Sequence, residues 1–298
     1  MVAKKSKKKQ KKNQTFLESV WSLIKTVFWA LIVVMIINGL AFASFVVPTG
    51  SMEKTVMTGD FLFVNKFLYG PATPQVIPFL NVPLPFYKFP GFKDPEKGDV
   101  VVFIFPGNRD EVEPKQFQYY LKRCVATAGD TVHIKNKVLH VNGKKQDLPP
   151  KGQYDPNAPL YSNEKWRTFP YGLDYTRDNW GPMRVPKKGD VIPLSVKNIR
   201  QWDVFIAREG HEVTATATNV FIDGKSVDSY TVKRNYCFGM GDNRDHSLDS
   251  RYFGFIPYEN VVGTPMVVYW SWDTNLPMAD IGDKLSTIRF SRIGTIIK

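Results

Sequence analysis

The sequence predicts a mainly β fold, an antiparallel β-sheet domain behind one N-terminal transmembrane helix. Three observations predict it. Residues 27–47, VFWALIVVMIINGLAFASFVV, carry no charge, and a helix of about 20 apolar residues spans a bilayer core. Beyond residue 47 the apolar runs are short, rich in β-branched and aromatic residues, and bounded by Gly, Pro and Asn, which is strand chemistry. Long stretches with the helical spacing of apolar residues are scarce there.

The chain of 298 residues carries a net charge of +12, and seven lysines (Lys4, Lys5, Lys7, Lys8, Lys9, Lys11, Lys12) lie at its start. Without them the balance is 12 − 7 = +5. The basic excess is thus one solvated tail. Nucleic-acid binding needs basic and aromatic residues interleaved on a folded face, and no aromatic precedes Phe16. No nucleic-acid partner is expected. The tail instead holds the N-terminus in the cytoplasm by the positive-inside rule, so everything past residue 47 lies across the membrane. Ala41-Phe42-Ala43 has the small-x-small pattern of a signal cleavage site. Cleavable signals have apolar cores of about 7–15 residues, and the longer run here favours an uncleaved anchor. Both readings export the rest of the chain.

Residues 61–67, 99–105, 119–125, 131–143, 219–227 and 265–270 read as strands. Asn142-Gly143 and Asp223-Gly224 are hairpin-turn dipeptides. Residues 71–95 hold seven prolines among apolar and aromatic side chains. They read as a loop, either plain surface or dipping into the bilayer. Residues 144–185 show no clear period and read as an insertion or part of a second small domain. Two cysteines, Cys124 and Cys237, make neither a disulfide framework nor a zinc set; a disulfide and a free buried pair both stay open. The four histidines lack metal-ligand spacing, and Asp242, Asn243, Asp245 and Asp249 do not fit the EF-hand register. No metal and no cofactor is expected.

Just after the anchor stands Pro48-Thr49-Gly50-Ser51-Met52-Glu53-Lys54-Thr55. Ser51 and Lys54 have the Ser-x-x-Lys spacing of penicillin-binding enzymes. The residues that follow, Thr55-Val56-Met57-Thr58-Gly59, argue a turn and then a strand, and neither Lys-Thr-Gly nor Ser-Asp-Asn occurs in the chain. That reading fails for want of context.

Four windows carry a different resemblance. They are residues 45–52 followed by Gly59-Asp60, Lys97-Gly98-Asp99-Val100-Val101-Val102-Phe103, Tyr120-Leu121-Lys122-Arg123-Cys124-Val125, and the long run Gly239–Gly254, GMGDNRDHSLDSRYFG. In this order they resemble the bacterial type I signal peptidases, Ser/Lys membrane endopeptidases. The resemblance spans about residues 20–270, outside the insertion. It implies Ser51 as nucleophile and Lys122 as general base. It implies Thr49 as an oxyanion donor beside the Ser51 N–H, Ser247 as the hydroxyl that orients the lysine, and Asp249 with Arg251 as a supporting pair. Lys54, where the family commonly has proline, and His246, where asparagine is usual, are departures.

The chemistry fits. A serine hydroxyl attacks only when a base takes its proton. Burial disfavours an ammonium and makes a lysine a usable base. Alternation along 119–125 puts Lys122 on the face of Tyr120 and Cys124. The resemblance also implies shallow pockets for small residues before the scissile bond, walled here by Phe45, Val47 and Tyr120. Self-cleavage after Ala43 is not expected, because too few residues separate it from Ser51.

The organisation expected is a basic cytoplasmic tail (1–19), an anchor (20–47), a catalytic β domain in two parts (48–142 and 236–298), and an insertion or second small domain (143–235). The expected location is the plasma (inner) membrane, single-pass, with the catalytic domain on the outer face. The partners expected are preprotein signal peptides and membrane lipid. Oligomeric state is not legible. The alternatives are a non-catalytic, membrane-tethered binding or assembly protein, which retention of Ser51, Lys122 and Ser247 argues against, and a soluble self-cleaving regulator, which the apolar run argues against.

Overall fold

The computed structural model describes residues 16–71, 73, 87–158 and 167–298. The lysine tail and most of the proline-rich loop lie outside the described residues.

Helix α1 (Phe16–Leu40) holds a stretch, Glu18–Met35, long and apolar enough to cross a membrane, and none of that stretch is buried in protein. The helix stops short of residue 47. After Ala41 the chain becomes strand β1 (Phe42–Val46), paired with β2 (Asp60–Asn65) from Phe42↔Asn65 to Val46↔Phe61. The aromatic and β-branched residues that prolonged the apolar run are strand formers. Their backbone groups find partners in β2, and the Phe45 ring packs edge-on against Tyr119 with centroids 4.8 Å apart.

The chain continues through β3 (Val100–Ile104), β4 (Tyr119–Ala126), β5 (Thr131–Lys135), β6 (Val138–Val141), β7 (Lys144–Lys145), β8 (Trp180–Arg184) and β9 (Val191–Pro193). Helix α2 (Ile199–Arg208) follows, then β10 (Val213–Ala215), β11 (Val220–Ile222), β12 (Lys225–Val227), β13 (Ser229–Thr231) and β14 (Tyr236–Met240). Helix α3 (Ser250–Phe253), β15 (Ile256–Pro257), β16 (Val261–Ser271) and α4 (Ile281–Ser286) close it.

Seven strands form the main sheet in the order β1-β2-β16-β3-β4-β14-β15, with antiparallel pairings throughout. Strand β16 serves two neighbours: its first residues pair with β3 and Thr264–Ser271 with β2, through bulges. Bulges bend a strand and increase its twist.

Residues 131–142, expected in the first catalytic part, belong elsewhere. Strands β5 and β6 pair with β7 and β8 in a separate four-stranded sheet. The turn Thr127–Asp130 marks the boundary, with Asp130 Oδ2 accepting from Thr127 N and Oγ1. The expected single strand 131–143 is a hairpin, because Asn136 and Lys137 both adopt positive φ (46° and 71°), the geometry of a type I′ turn. The expected turn dipeptides do cap hairpins: Asn142-Gly143 joins β6 to β7 and Asp223-Gly224 joins β11 to β12. This second lobe, 131–158 and 167–232, packs around Trp180, whose indole N–H donates to Phe169 O at 2.6 Å. It shares that core with Phe238 and Met240 of β14, so the two lobes are fused through apolar contact.

Candidate active site

Ser51 sits in a short 3₁₀ turn, Gly50–Met52, three residues after β1. Its neighbours fix it from below: Met52 and Val56 are buried in the core with Leu62 and Val64 of β2. Val47 N donates to Asp60 O and Gly59 N to Val47 O, which closes the loop. Gly59 has φ +84°, and a Cβ there would stand 2.0 Å from Trp272 O, so no other residue fits without a shift. Asp60 is wholly buried and accepts from Met57 N, Ser271 Oγ and Arg292 Nη2.

Lys122 lies in β4, opposite Val101 of β3. Its Nζ donates to Ser51 Oγ at 2.8 Å and to Leu121 O at 3.0 Å, over the Tyr120 ring. Only 3% of the residue is exposed. Gly239 of β14 makes room, because a Cβ there would meet Lys122 Cβ at 3.1 Å and Ile256 Cδ1 at 2.8 Å. Burial pushes the Lys122 ammonium down to about 8, with Asp249 opposing and Arg251 acting in the same sense.

The loop after β14 folds over both residues. Asn243 N donates to Ser51 O, and its Nδ2 donates to Gly50 O. Asp249 is fully buried and takes Nε and Nη2 of Arg251, both at 2.8 Å. Burial alone would raise its carboxyl; the Arg251 guanidinium overrides that and holds it below its usual range. Asp249 also accepts from Gly241 N at 3.1 Å.

A cleft of about 950 Å³ opens on Ser51 and Lys122. Phe45, Val47 and Tyr120 all line it, together with Thr49 and Leu121.

The family model "Signal peptidase, peptidase S26" matches residues 20–270. The chain belongs to this family. Signal peptidase I of Helicobacter pylori (strain J99 / ATCC 700824) is 29% identical over 274 residues, covering 86% of this chain and 84% of that protein. Signal peptidase I of Aquifex aeolicus (strain VF5) is 29% identical over 264 residues, 83% of each chain. That of Rickettsia akari (strain Hartford) is 28% identical over 302 residues, 96% of this chain and 94% of the other. A crystal structure of a signal peptidase I from Enterococcus faecalis V583 overlaps 58% of this chain and 97% of that one, at 21% identity and a TM-score of 0.28.

Set against the resemblance to signal peptidases, most of the expected residues converge. Ser51, Lys122, Asp249 and Arg251 form one buried cluster, and Phe45, Val47 and Tyr120 share its cleft. Ser247 departs from expectation. It is buried, yet its Oγ has no hydrogen-bond partner. The hydroxyl lies over Gly241, where a Cβ would be 2.2 Å away, while Lys122 donates to Ser51 and Leu121 instead. Thr49 is exposed on the cleft rim and makes no side-chain cap bond to the turn.

Lys54 is exposed and has φ 71°. His246 faces the second lobe, with Nε2 2.9 Å from Asp155 Oδ2. Cys124 and Cys237 are free and buried.

Three residues that matter to the site went unread in the sequence: Thr55, Arg123 and Arg292. Thr55 Oγ1 donates to Asp242 Oδ2 at 2.6 Å, and Arg123 binds the same carboxylate through Nε and Nη2, both at 2.8 Å. Arg292 Nη2 reaches Thr55 O and Asp60 Oδ2. Arg123 had a signal. Two adjacent cations inside YYLKRCV must be buried or paired, and the run GDNRDHSLD is the obvious source of anions.

Proposed function

We propose that this chain is a membrane-tethered serine endopeptidase that removes N-terminal signal peptides from exported preproteins with a Ser51/Lys122 dyad. The observation that carries the reading is the 2.8 Å contact between Lys122 Nζ and Ser51 Oγ inside a cleft walled by apolar side chains. Membership of the signal peptidase family supports the substrate class.

The neutral Lys122 amine takes the Ser51 proton as Oγ attacks the scissile carbonyl carbon. The carbonyl electron pair moves to oxygen, facing the Ser51 N–H and the Thr49 hydroxyl; preorganised donors of this kind give the largest single rate term. The ammonium returns the proton to the leaving amine as the C–N bond breaks. Water, deprotonated by the same amine, then attacks the acyl ester and frees Ser51. The signal end of the substrate lies extended against β1, the edge strand of the main sheet, in the manner of strand addition. Small residues before the scissile bond pack against Phe45, Val47 and Tyr120.

Helix α1 is the tether. The lysine tail holds its start in the cytoplasm, which places the catalytic lobe outside. The second lobe is the insertion between the two parts of the catalytic sheet.

Cleavage of a purified preprotein tests the reading. Ser51→Ala and Lys122→Met abolish it, and Lys54→Met cleaves at a near-normal rate. Activity surviving in Lys122→Met overturns the mechanism.

A further inference from the structure

Two smaller clefts adjoin the catalytic one. The first, about 520 Å³, shares His246 and Leu248 with it and is otherwise lined by polar and charged groups, among them Asn108, Arg109 and Asp110. The second, about 200 Å³, shares Arg109 and Asp110 with the first and runs on to Tyr171 and Arg200 of α2. Shared linings set the three clefts in a row, a stepped groove from Ser51 to the second lobe, with His246 and Leu248 on the ridge between the first two.

Its chemistry changes along its length. The serine end is walled by Phe45, Val47 and Leu121. The far end carries Arg109, Asp110, Arg200 and Asp203. There two guanidiniums approach the Tyr171 ring, Arg109 at 4.9 Å and Arg200 at 4.8 Å from its centre, within cation–π range. Between the two ends, Ser247 lines the polar cleft with a buried hydroxyl that has no partner.

The ridge between the clefts is braced by the second lobe. Asp245 is held by Lys137 at 2.9 Å and Arg177 at 3.1 Å, and His246 by Asp155 at 2.9 Å.

We infer that this groove binds the first residues of the mature protein, on the C-terminal side of the scissile bond. The inference rests on the Ser51/Lys122 reading. A peptide cut at Ser51 must run through the site in both directions. The β1 and β4 walls match the apolar signal side, and residues 246–248 form the remaining wall. A mature chain bound for water is polar, which matches the mixed charges beyond that wall. The second lobe therefore contributes to substrate binding.

Photo-crosslinking on the full chain carrying Ser51→Ala tests this. An extended peptide advances about 3.3 Å per residue, so probes at the third and sixth mature residues sample successive clefts. The third labels residues 108–110 or 245–252, and the sixth labels Tyr171 or α2. A probe before the scissile bond labels 45–47 or 118–121. Mature-side labels on β1 or β16 overturn the inference. Kinetics give a second readout. Arg109→Ala and Tyr171→Ala each lower the preference for a preprotein with a long mature segment over one cut short, by about tenfold and mainly in KM. An unchanged preference in both variants overturns it. Failure of the dyad reading shows separately, as cleavage of the probe substrate by Ser51→Ala.

Discussion

Thr55 donates its hydroxyl proton to Asp242 across 187 residues of sequence, at 2.6 Å and out of solvent. Arg123 closes on the same carboxylate from β4. One buried anion thus joins the serine's turn, the lysine's strand and the loop above them. Thr55→Val keeps the shape and removes the donor, while Asp242 keeps Arg123. The expected result is a loss of about 1–2 kcal/mol in stability and a several-fold fall in kcat with KM little changed. Urea unfolding and steady-state kinetics check the two parts.

The rate should follow the protonation of Lys122. Burial brings its amine down to about 8, and only the neutral form accepts the serine proton. The kcat/KM value therefore rises with pH through about 8 and then levels. A pH–rate profile flat across that region would remove Lys122 as the base.

Stability should respond in the opposite sense to substitution. An unfolded lysine keeps its proton to about pH 10.4, whereas the folded Lys122 gives it up near 8. Below about 8 both states are protonated, and the fold bears the full cost of a buried ammonium. That cost shrinks as pH rises from about 8 to about 10.4. Lys122→Met removes the charge, so at neutral pH the variant is more stable, by up to roughly 3 kcal/mol. The gap narrows in alkali. Thermal melts at two pH values measure it.

Gly241 is fixed by space. A Cβ there would stand 2.2 Å from Ser247 Oγ and 2.5 Å from Ser51 O. Gly241→Ala must push the serine's turn aside, at a cost of about 1–3 kcal/mol. Expected is at least a tenfold lower kcat with the second lobe intact, the latter read from unchanged amide exchange across β5, β6 and β8.

Arg292 holds the same turn from the far end of the chain. Arg292→Ala leaves the wholly buried Asp60 with the Met57 N–H, Ser271 and a distant Arg289 at 4.0 Å. A loss of about 2 kcal/mol is expected, with faster amide exchange across residues 52–60. Arg292→Lys should restore part of both. Exchange unchanged in the alanine variant would show that Arg292 does not hold the turn.

The sequence made the outline of the molecule readable because its strands alternate and its long apolar run is unbroken. The candidate site residues were named from four local windows. What escaped notice was set by contacts between distant segments. No local pattern marks Thr55 as a partner of Asp242, or Arg292 as a partner of Asp60. The end of α1 was hidden because Phe42, Ala43, Phe45 and Val46 are apolar in a helix or a strand alike, and only pairing with β2 decides. The turn at Lys137 was hidden because lysine rarely adopts positive φ. Here the conformation is held by Tyr154 donating to Lys137 O and by Lys137 N donating to Asp178 O. Helix α2 is too short for its period to stand out among polar neighbours.

Ala41 is the single residue between α1 and β1. If α1 spans the bilayer, as proposed above, so short a joint keeps Ser51, a few residues beyond β1, at one height near the lipid. On that reading the protein acts as a depth gauge: the bond it reaches is the one where the substrate's own helix ends at the matching level, and position along the membrane normal selects the site before any side chain is read.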